Sequence, residues 1–219
     1  MDLKYGLISS DSHAQELPRT WTSRMSKVKW GDRIPHIAET SEPYARAQNS
    51  DRKIERWFID GRPMEKRGTV NCPTAMGDPL RKTYPQRWDE VPEFVFDPRL
   101  RLEAQERDGI DAEILFPNIA GQSGDGLVNF DPDLELACVR AYNDLISEEW
   151  ISVSDRYVGL AVLPYKSGIS ETVAEVRRTI KNGHKGVIML AEPSQNVPGL
   201  AHINDPYWYP LWDACESLE

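Results

Sequence analysis

The chain has 219 residues, of which 40% are hydrophobic, and its 26 basic and 35 acidic side chains give a formal charge of −9. This composition is typical of a globular protein, the acidic balance argues against a nucleic-acid surface, and no apolar run reaches the roughly 18 residues of a membrane span. The three cysteines (Cys72, Cys138 and Cys215) are odd in number and far apart, so we expect reduced thiols in a cytoplasmic protein rather than a disulfide framework or a metal clip.

The first part of the chain is irregular. Residues 7–10 predict a short apolar strand, and residues 14–98, which hold nine of the 16 prolines, predict a long insertion of loops and short helices. Within the insertion, Asp60-Gly61 favours a tight hairpin turn because both residues tolerate a positive φ. Pro63 weakens the pairing of the returning strand, which we therefore place at a sheet edge. The tryptophans of the insertion are interpreted as local core: Trp21, Trp30, Trp57 and Trp88.

From residue 99 onward, helices and strands alternate. Apolar residues at helical spacing, together with end signals, predict helices over 99–108, from Asp131 onward and over 170–182. Short apolar runs predict buried strands at 112–116, 157–163 and 186–190. A last helix begins at Asp205 or at Tyr209 and continues to the final residue.

Apolar strands that alternate with helices predict a parallel α/β sheet, as in a (β/α)8 barrel or an open doubly wound sheet. A complete barrel takes about 250 residues, and no strand follows the last helix. We therefore interpret residues 1–219 as the N-terminal part of one domain of TIM-barrel type, truncated after about four strands. Residues 14–98 are a loop-rich insertion after its first strand, and residues 99–219 are regular β/α units.

Asp11 and His13 follow the first predicted strand. Residues two apart project from the same face of a strand, and barrels place their active sites at the carboxyl ends of the strands. A carboxylate and an imidazole are two ligands that zinc or manganese accepts, although a catalytic zinc needs about three from the protein. Taken alone, such a pair is more often a turn-capping aspartate and a hydrogen-bonded histidine.

Seven segments decide between these interpretations. They are residues 11–16 (DSHAQE), 107–112 (RDGIDA), 116–118 (FPN), 142–144 (YND), 156–164 (RYVGLAVLP), 184–187 (HKGV) and 207–212 (YWYPLW). In this order they resemble the amidohydrolase superfamily, in particular the amidohydrolase-related group that includes aminocarboxymuconate semialdehyde decarboxylase and resorcylate decarboxylase. The resemblance implies a TIM barrel with a divalent metal ion, zinc or manganese, bound by Asp11 and His13. In that family the other ligands and the general acid/base lie on later strands. We therefore expect the catalytic group beyond Glu219 and expect this chain alone to be inactive.

Two other polar residues have both a functional and a structural interpretation, and two histidines have a structural one. Glu16 is either a residue behind the metal ligands that orients the His13 ring or the acidic residue of a helix start. Asn118 follows the second barrel strand and is either a substrate contact at the same mouth or a turn residue. His184 and His202 do not fall at the family's ligand positions, and we interpret them as solvated histidines.

The sequence thus predicts a metal-dependent hydrolase or non-oxidative decarboxylase. The resemblance implies a small carboxylated, cyclic or aromatic substrate and a homodimer for the full-length protein. No nucleic-acid or membrane partner is expected. The alternative is a truncated, non-catalytic product, or an interaction partner of a full-length relative, because half a barrel exposes an apolar sheet edge that favours association.

Overall fold

The computed structural model describes residues 6–41, 53–64, 69–70, 74, 80, 83–121 and 123–218, so Cys72 lies outside the described part. The strands, in chain order, are β1 (Ile8–Ala14), β2 (His36–Thr40), β3 (Ile54–Ile59), β4 (Arg62–Pro63), β5 (Ala112–Pro117), β6 (Tyr157–Val162) and β7 (Gly186–Ile188). The helices are α1 (Arg19–Thr22), α2 (Lys27–Trp30), α3 (Pro98–Asp108), α4 (Pro132–Leu145), α5 (Ile169–Lys181), α6 (Pro193–Asn196) and α7 (Tyr209–Ser217).

Four strands form one parallel sheet in the order β1-β5-β6-β7. Each strand pairs with the next one along the chain that belongs to this sheet, with Ile8 opposite Ala112 and Leu160 opposite Gly186. In an open doubly wound sheet the strand order reverses at a switch point, whereas barrel strands add in one direction. The order of the four strands is the one that consecutive strands of a (β/α)8 barrel have, and the predicted fold class is confirmed.

The regular half begins and ends its elements where the local signals predict. The Asp97 carboxylate caps α3 by accepting from the backbone N–H groups of Arg99 and Leu100, at 2.8 and 3.1 Å. Gly109 ends the same helix in the left-handed conformation, with φ of 71°. Asp131 caps α4 in the same way. The predicted helices and strands are confirmed, except that β7 ends at Ile188, two residues early, and that α7 ends at Ser217, before the final residue.

The insertion contains more regular structure than the sequence predicts. The hairpin forms, with Asp60 and Gly61 at φ of 54° and 72° and Pro63 in the edge strand β4 of a separate antiparallel sheet, β2-β3-β4. The strand β2, whose His36 lies opposite Phe58, was not predicted. Its side chains are mostly half-buried, so no alternation of apolar and polar residues marks it.

The insertion packs on the helices that cover the sheet. Trp21 and Trp57 are fully buried in the main core, with their rings edge to face at a centroid distance of 5.2 Å. Trp21 Nε1 donates to the Cys138 carbonyl of α4 at 3.0 Å. Trp30 joins the same core, while Trp88 packs against a small separate cluster. The interpretation of these tryptophans as core is confirmed.

The structure also bears on thiols and membrane contact. Cys138 is buried and Cys215 half-buried, and both are free thiols. In the part of the chain that the structure describes, no helix combines the length and the apolar character needed to span a membrane.

Candidate metal centre

A β-bulge in β1 shapes the site. Ser9 lies opposite Glu113 and Ser12 opposite Leu115, so three steps along β1 match two along β5, and β1 holds one extra residue. Such bulges re-aim side chains and are common beside active sites. Asp11 lies in the bulge, and its Oδ1 is 3.8 Å from His13 Nε2. The two predicted ligands therefore come together, at side-chain exposures of 72% for Asp11 and 18% for His13.

The orientation of the His13 ring is set by a backbone group of the neighbouring strand. Nδ1 lies 2.9 Å from the Pro117 carbonyl oxygen. Because a carbonyl oxygen can only accept, Nδ1 carries the proton and Nε2 presents a lone pair on the side of Asp11. Burial lowers the pKa of His13 below its ordinary value of 6.5, against the opposing effects of the Pro117 carbonyl and Asp11. A neutral imidazole with its other nitrogen hydrogen-bonded is the form that ligates metal ions.

The donor set fits part of a divalent metal site. One carboxylate and one imidazole suit zinc or manganese, but a catalytic zinc has about three protein ligands. Within the described ranges there is no group of three or more His, Cys, Asp or Glu that could hold a metal ion. Asp11 and His13 thus offer two candidate donors, fewer than the three or so protein ligands of a catalytic zinc.

The pair opens into a cavity of about 360 Å³, within the size range of small-molecule sites. Its lining residues are Asp11, Ser12, His13, Gln15, Thr74, Val95, Arg101 and Asn118. Asn118 Nδ2 donates to Gln15 Oε1 at 2.5 Å, which fixes the amide at the cavity wall. The structure therefore brings the predicted substrate contact to the same cavity as the two predicted ligands.

Arg101 is a cavity residue that the sequence analysis missed. Its Nε and Nη2 donate to the buried Glu113 carboxylate at 3.0 and 2.9 Å, and Ser12 Oγ donates to the same carboxylate at 3.1 Å. These bonds use Nε and Nη2, and Nη1 donates to no group among the described residues. Within α3, Arg101 looks like any helical arginine. Only its spacing of 12 residues from Glu113 connects the two, and that spacing is no recognised signal.

Glu16 bonds to the backbone that follows β5. Its side chain is fully buried and accepts from the N–H of Ile119 at 2.8 Å to Oε2 and from the N–H of Ala120 at 2.9 Å to Oε1. The N–H of Asn118 also donates to Oε1, at 3.2 Å. The sequence offered two roles for Glu16, and the structure gives it these partners. That it orients His13 stays a prediction.

The two other histidines differ from each other. His184 is only 1% exposed, so its interpretation as a solvated residue was wrong. Its Nδ1 donates to the Thr179 carbonyl at 3.2 Å, and burial lowers its pKa to about 4. His202 is 60% exposed and lies 2.9 Å from Glu192, as expected of a surface histidine. Neither residue lines the cavity beside Asp11.

Comparison with known proteins gives a family and a fold. The profile of a family described as amidohydrolase matches residues 78–219. No curated protein matches the chain. Among solved structures, an amidohydrolase from Mycobacterium avium subsp. paratuberculosis K-10 is similar, with a TM-score of 0.63 at 19% identity, over 97% of this chain and 56% of the other.

Two decarboxylases are similar in the same way. The 2,6-dihydroxybenzoate decarboxylase from Rhizobium has a TM-score of 0.53 at 16% identity, over 97% of this chain and 47% of the other. The dihydroxybenzoic acid decarboxylase from Polaromonas sp. JS666, solved with bound manganese and the inhibitor 2-nitroresorcinol, has a TM-score of 0.53 at 15% identity, over the same shares of 97% and 47%. The chain thus spans about half the length of these solved structures.

Proposed function

The chain belongs to the amidohydrolase family, and from that premise we propose that Asp11 and His13 are two ligands of a divalent metal ion, zinc or manganese. The observation on which this proposal rests is their geometry. The Asp11 carboxylate lies 3.8 Å from His13 Nε2, while Nδ1 is occupied by the Pro117 carbonyl. The manganese bound in the Polaromonas decarboxylase supports the choice of a divalent ion.

We propose that the site serves a metal-dependent hydrolase or non-oxidative decarboxylase. A divalent ion at this place would act as a Lewis acid toward a substrate oxygen or toward water. The residues of this chain would bind the ion and the substrate. Asp11 and His13 would hold the ion, and Asn118, fixed by Gln15, would donate from its amide to the substrate.

The cavity favours a small anionic substrate. Hydrogen bonds from Nε and Nη2 to Glu113 hold Arg101 in place, and we propose that Nη1 donates to an acceptor on a ligand. A guanidinium group presents paired donors that match a carboxylate. A volume of about 360 Å³ suits a single ring. These features support a carboxylated cyclic or aromatic compound, the kind of molecule on which the dihydroxybenzoate decarboxylases act.

Manganese itself is the probe that tests the metal site. Substoichiometric Mn²⁺ broadens the NMR signals of the nuclei nearest to it, and this effect detects weak binding to a two-donor site. We expect broadening to begin at the backbone amides of Asp11, His13 and Asn118. It should disappear from these amides in Asp11→Asn and in His13→Ala. His202→Ala is the matched control, since it removes a surface histidine that also has a carboxylate partner.

Two results would overturn the proposal. One is broadening that starts elsewhere, for example at His202 and Glu192. The other is unchanged broadening in both the Asp11 and the His13 variants. Release of CO₂ from 2,6-dihydroxybenzoate is the matching activity assay, with an ester such as phenyl acetate as the hydrolysis probe. Two donors alone should give no turnover, so measurable turnover by this chain would contradict our account of the remaining ligands.

A further inference from the structure

We infer that Glu16 is a positioning residue that acts on His13 through the backbone of residues 117–120. The inference rests on the proposed metal centre, because it gives Glu16 a role in presenting His13 Nε2 to the ion. The Glu16 carboxylate accepts from the backbone N–H groups of residues 118–120, which follow β5. The Pro117 carbonyl, which precedes them, accepts from His13 Nδ1. No direct contact between the two side chains is required.

The first step is the set of hydrogen bonds between Glu16 and the loop at residues 118–120. Three consecutive backbone N–H groups, those of Asn118, Ile119 and Ala120, point at one carboxylate, with donor–acceptor distances from 2.8 to 3.3 Å. Hydrogen bonds from N–H groups to a charged carboxylate are about twice as strong as those between neutral groups. The carboxylate is fully buried, so water does not compete for these amides. The loop backbone is therefore fixed relative to the end of β1.

The second step is the transfer of that position to His13. Pro117 is the last residue of β5, and its carbonyl belongs to the same peptide unit as the Asn118 N–H that Glu16 binds. A peptide unit is planar, so holding the N–H also sets the direction of the carbonyl. That carbonyl accepts from His13 Nδ1 at 2.9 Å. Glu16 thereby selects the ring tautomer that leaves Nε2 with a lone pair.

The third step concerns the side chain of Asn118, the predicted substrate contact, which is also fixed by hydrogen bonds. The side chain of Asn118 donates to Gln15 at 2.5 Å, and Gln15 Nε2 donates to the Glu16 carbonyl at 3.1 Å. Glu16 and its neighbour thus hold both the backbone and the side chain of Asn118. A change at Glu16 should therefore move two features of the cavity together, the His13 ring and the Asn118 amide.

The tautomer of His13 tests the inference directly and needs no metal. At about pH 8, above the ordinary pKa of histidine, long-range ¹⁵N–¹H correlation spectra of the wild-type chain should show His13 protonated at Nδ1. In Glu16→Gln we expect a loss of this single tautomer, with shifted amide signals at 118–120, because an amide group cannot accept at both ends. Mn²⁺ binding should weaken by roughly the 10- to 100-fold typical of changes behind a metal ligand.

Glu135→Gln is the matched control. Glu135 is also a buried carboxylate, and it accepts from the backbone N–H groups of Tyr165 and Lys166 at 3.1 and 2.7 Å, in the loop after β6. Its replacement should cost stability but leave the His13 tautomer unchanged. If Glu16→Gln does not fold, Glu16→Asp is compared instead, since it keeps the charge and shortens the side chain by one methylene.

Three results would overturn the inference: a wild-type His13 protonated at Nε2, a Glu16 variant with an unchanged tautomer, or an equal change in Glu135→Gln. The metal centre fails separately. If the tautomer depends on Glu16 while Mn²⁺ broadens no signal near Asp11, the positioning stands and the proposed function falls. If Mn²⁺ binds near Asp11 and the His13 tautomer is the same in the Glu16 variants as in the wild type, the proposed function stands and the positioning role of Glu16 is refuted.

Discussion

The buried His184 should make the stability of the protein fall in mildly acidic solution. The side chain is 1% exposed, and burial lowers its pKa from 6.5 to about 4. Between these two values the unfolded chain binds a proton that the folded chain does not, so stability falls as pH falls. Above about pH 6.5 this effect is absent, and below about pH 4 it is complete.

The magnitude follows from the size of the pKa shift. Each unit of difference corresponds to about 1.4 kcal/mol, so the drop from 6.5 to about 4 makes His184 cost about 2 kcal/mol by pH 5 and about 3 kcal/mol near pH 4. His184→Asn removes the titrating group and keeps a side-chain N–H for the Thr179 carbonyl, to which Nδ1 donates at 3.2 Å. The variant should therefore lose less stability on acidification than the wild type.

Urea unfolding at a series of pH values from about 7.5 to 4.5 measures this difference, because the free energy of unfolding is extrapolated separately at each pH. Other groups that titrate in this range act on both proteins and cancel in the comparison. His202→Asn is the control, since His202 is largely exposed and should follow the wild type. Parallel pH profiles for His184→Asn and the wild type would refute the reasoning.

Two further predictions concern buried groups. Asn143 bonds to both backbone groups of Val162, at 2.9 and 3.0 Å, and to the buried Glu175 carboxylate at 2.8 Å, so Asn143→Leu should lower the free energy of unfolding by about 3 kcal/mol; an unchanged urea midpoint would contradict this. Iodoacetamide should modify the half-buried Cys215 before the fully buried Cys138, whose thiol pKa is raised mainly by burial; peptide mass spectrometry of the folded protein decides the order, and equal labelling would count against it.

The regular half of the fold was predictable because its signals are local. Asp97 and Gly109 bracket α3 within 13 residues of sequence, and each apolar strand is a continuous run. Such signals depend on the chemistry of neighbouring residues, which the sequence displays. The strand β2 has no such signal. It forms because its backbone pairs with β3, from Thr40 opposite Ile54 to His36 opposite Phe58. Neither segment, taken alone, predicts this pairing.

The candidate site divides in the same way. Asp11 and His13 lie on one strand, so their proximity follows from strand geometry, and the bulge only adjusts it. The partners of Glu16 are 102 to 104 residues away, and only the pairing of β1 with β5 brings them together. The burial of His184 was not predicted, because its interpretation as a solvated residue rested only on its place outside the family's ligand positions. Its burial comes from packing against the π-helical segment Ile146–Ile151 that follows α4, where Ser147 Oγ lies 3.4 Å from its Nδ1.

Two buried glutamates fix the backbone of the loops at the carboxyl ends of β5 and β6. Glu16 binds the backbone after β5 and Glu135 binds the backbone after β6, each through successive N–H groups. Hydrogen bonds to successive backbone N–H groups fix a loop without using the side chains of those residues, so Asn118 keeps its side-chain amide for the cavity wall. The carboxylates lie outside the loops that they fix. We therefore expect a substitution of Asn118 to leave this backbone in place, whereas Ile119 and Ala120 are also buried in the main core.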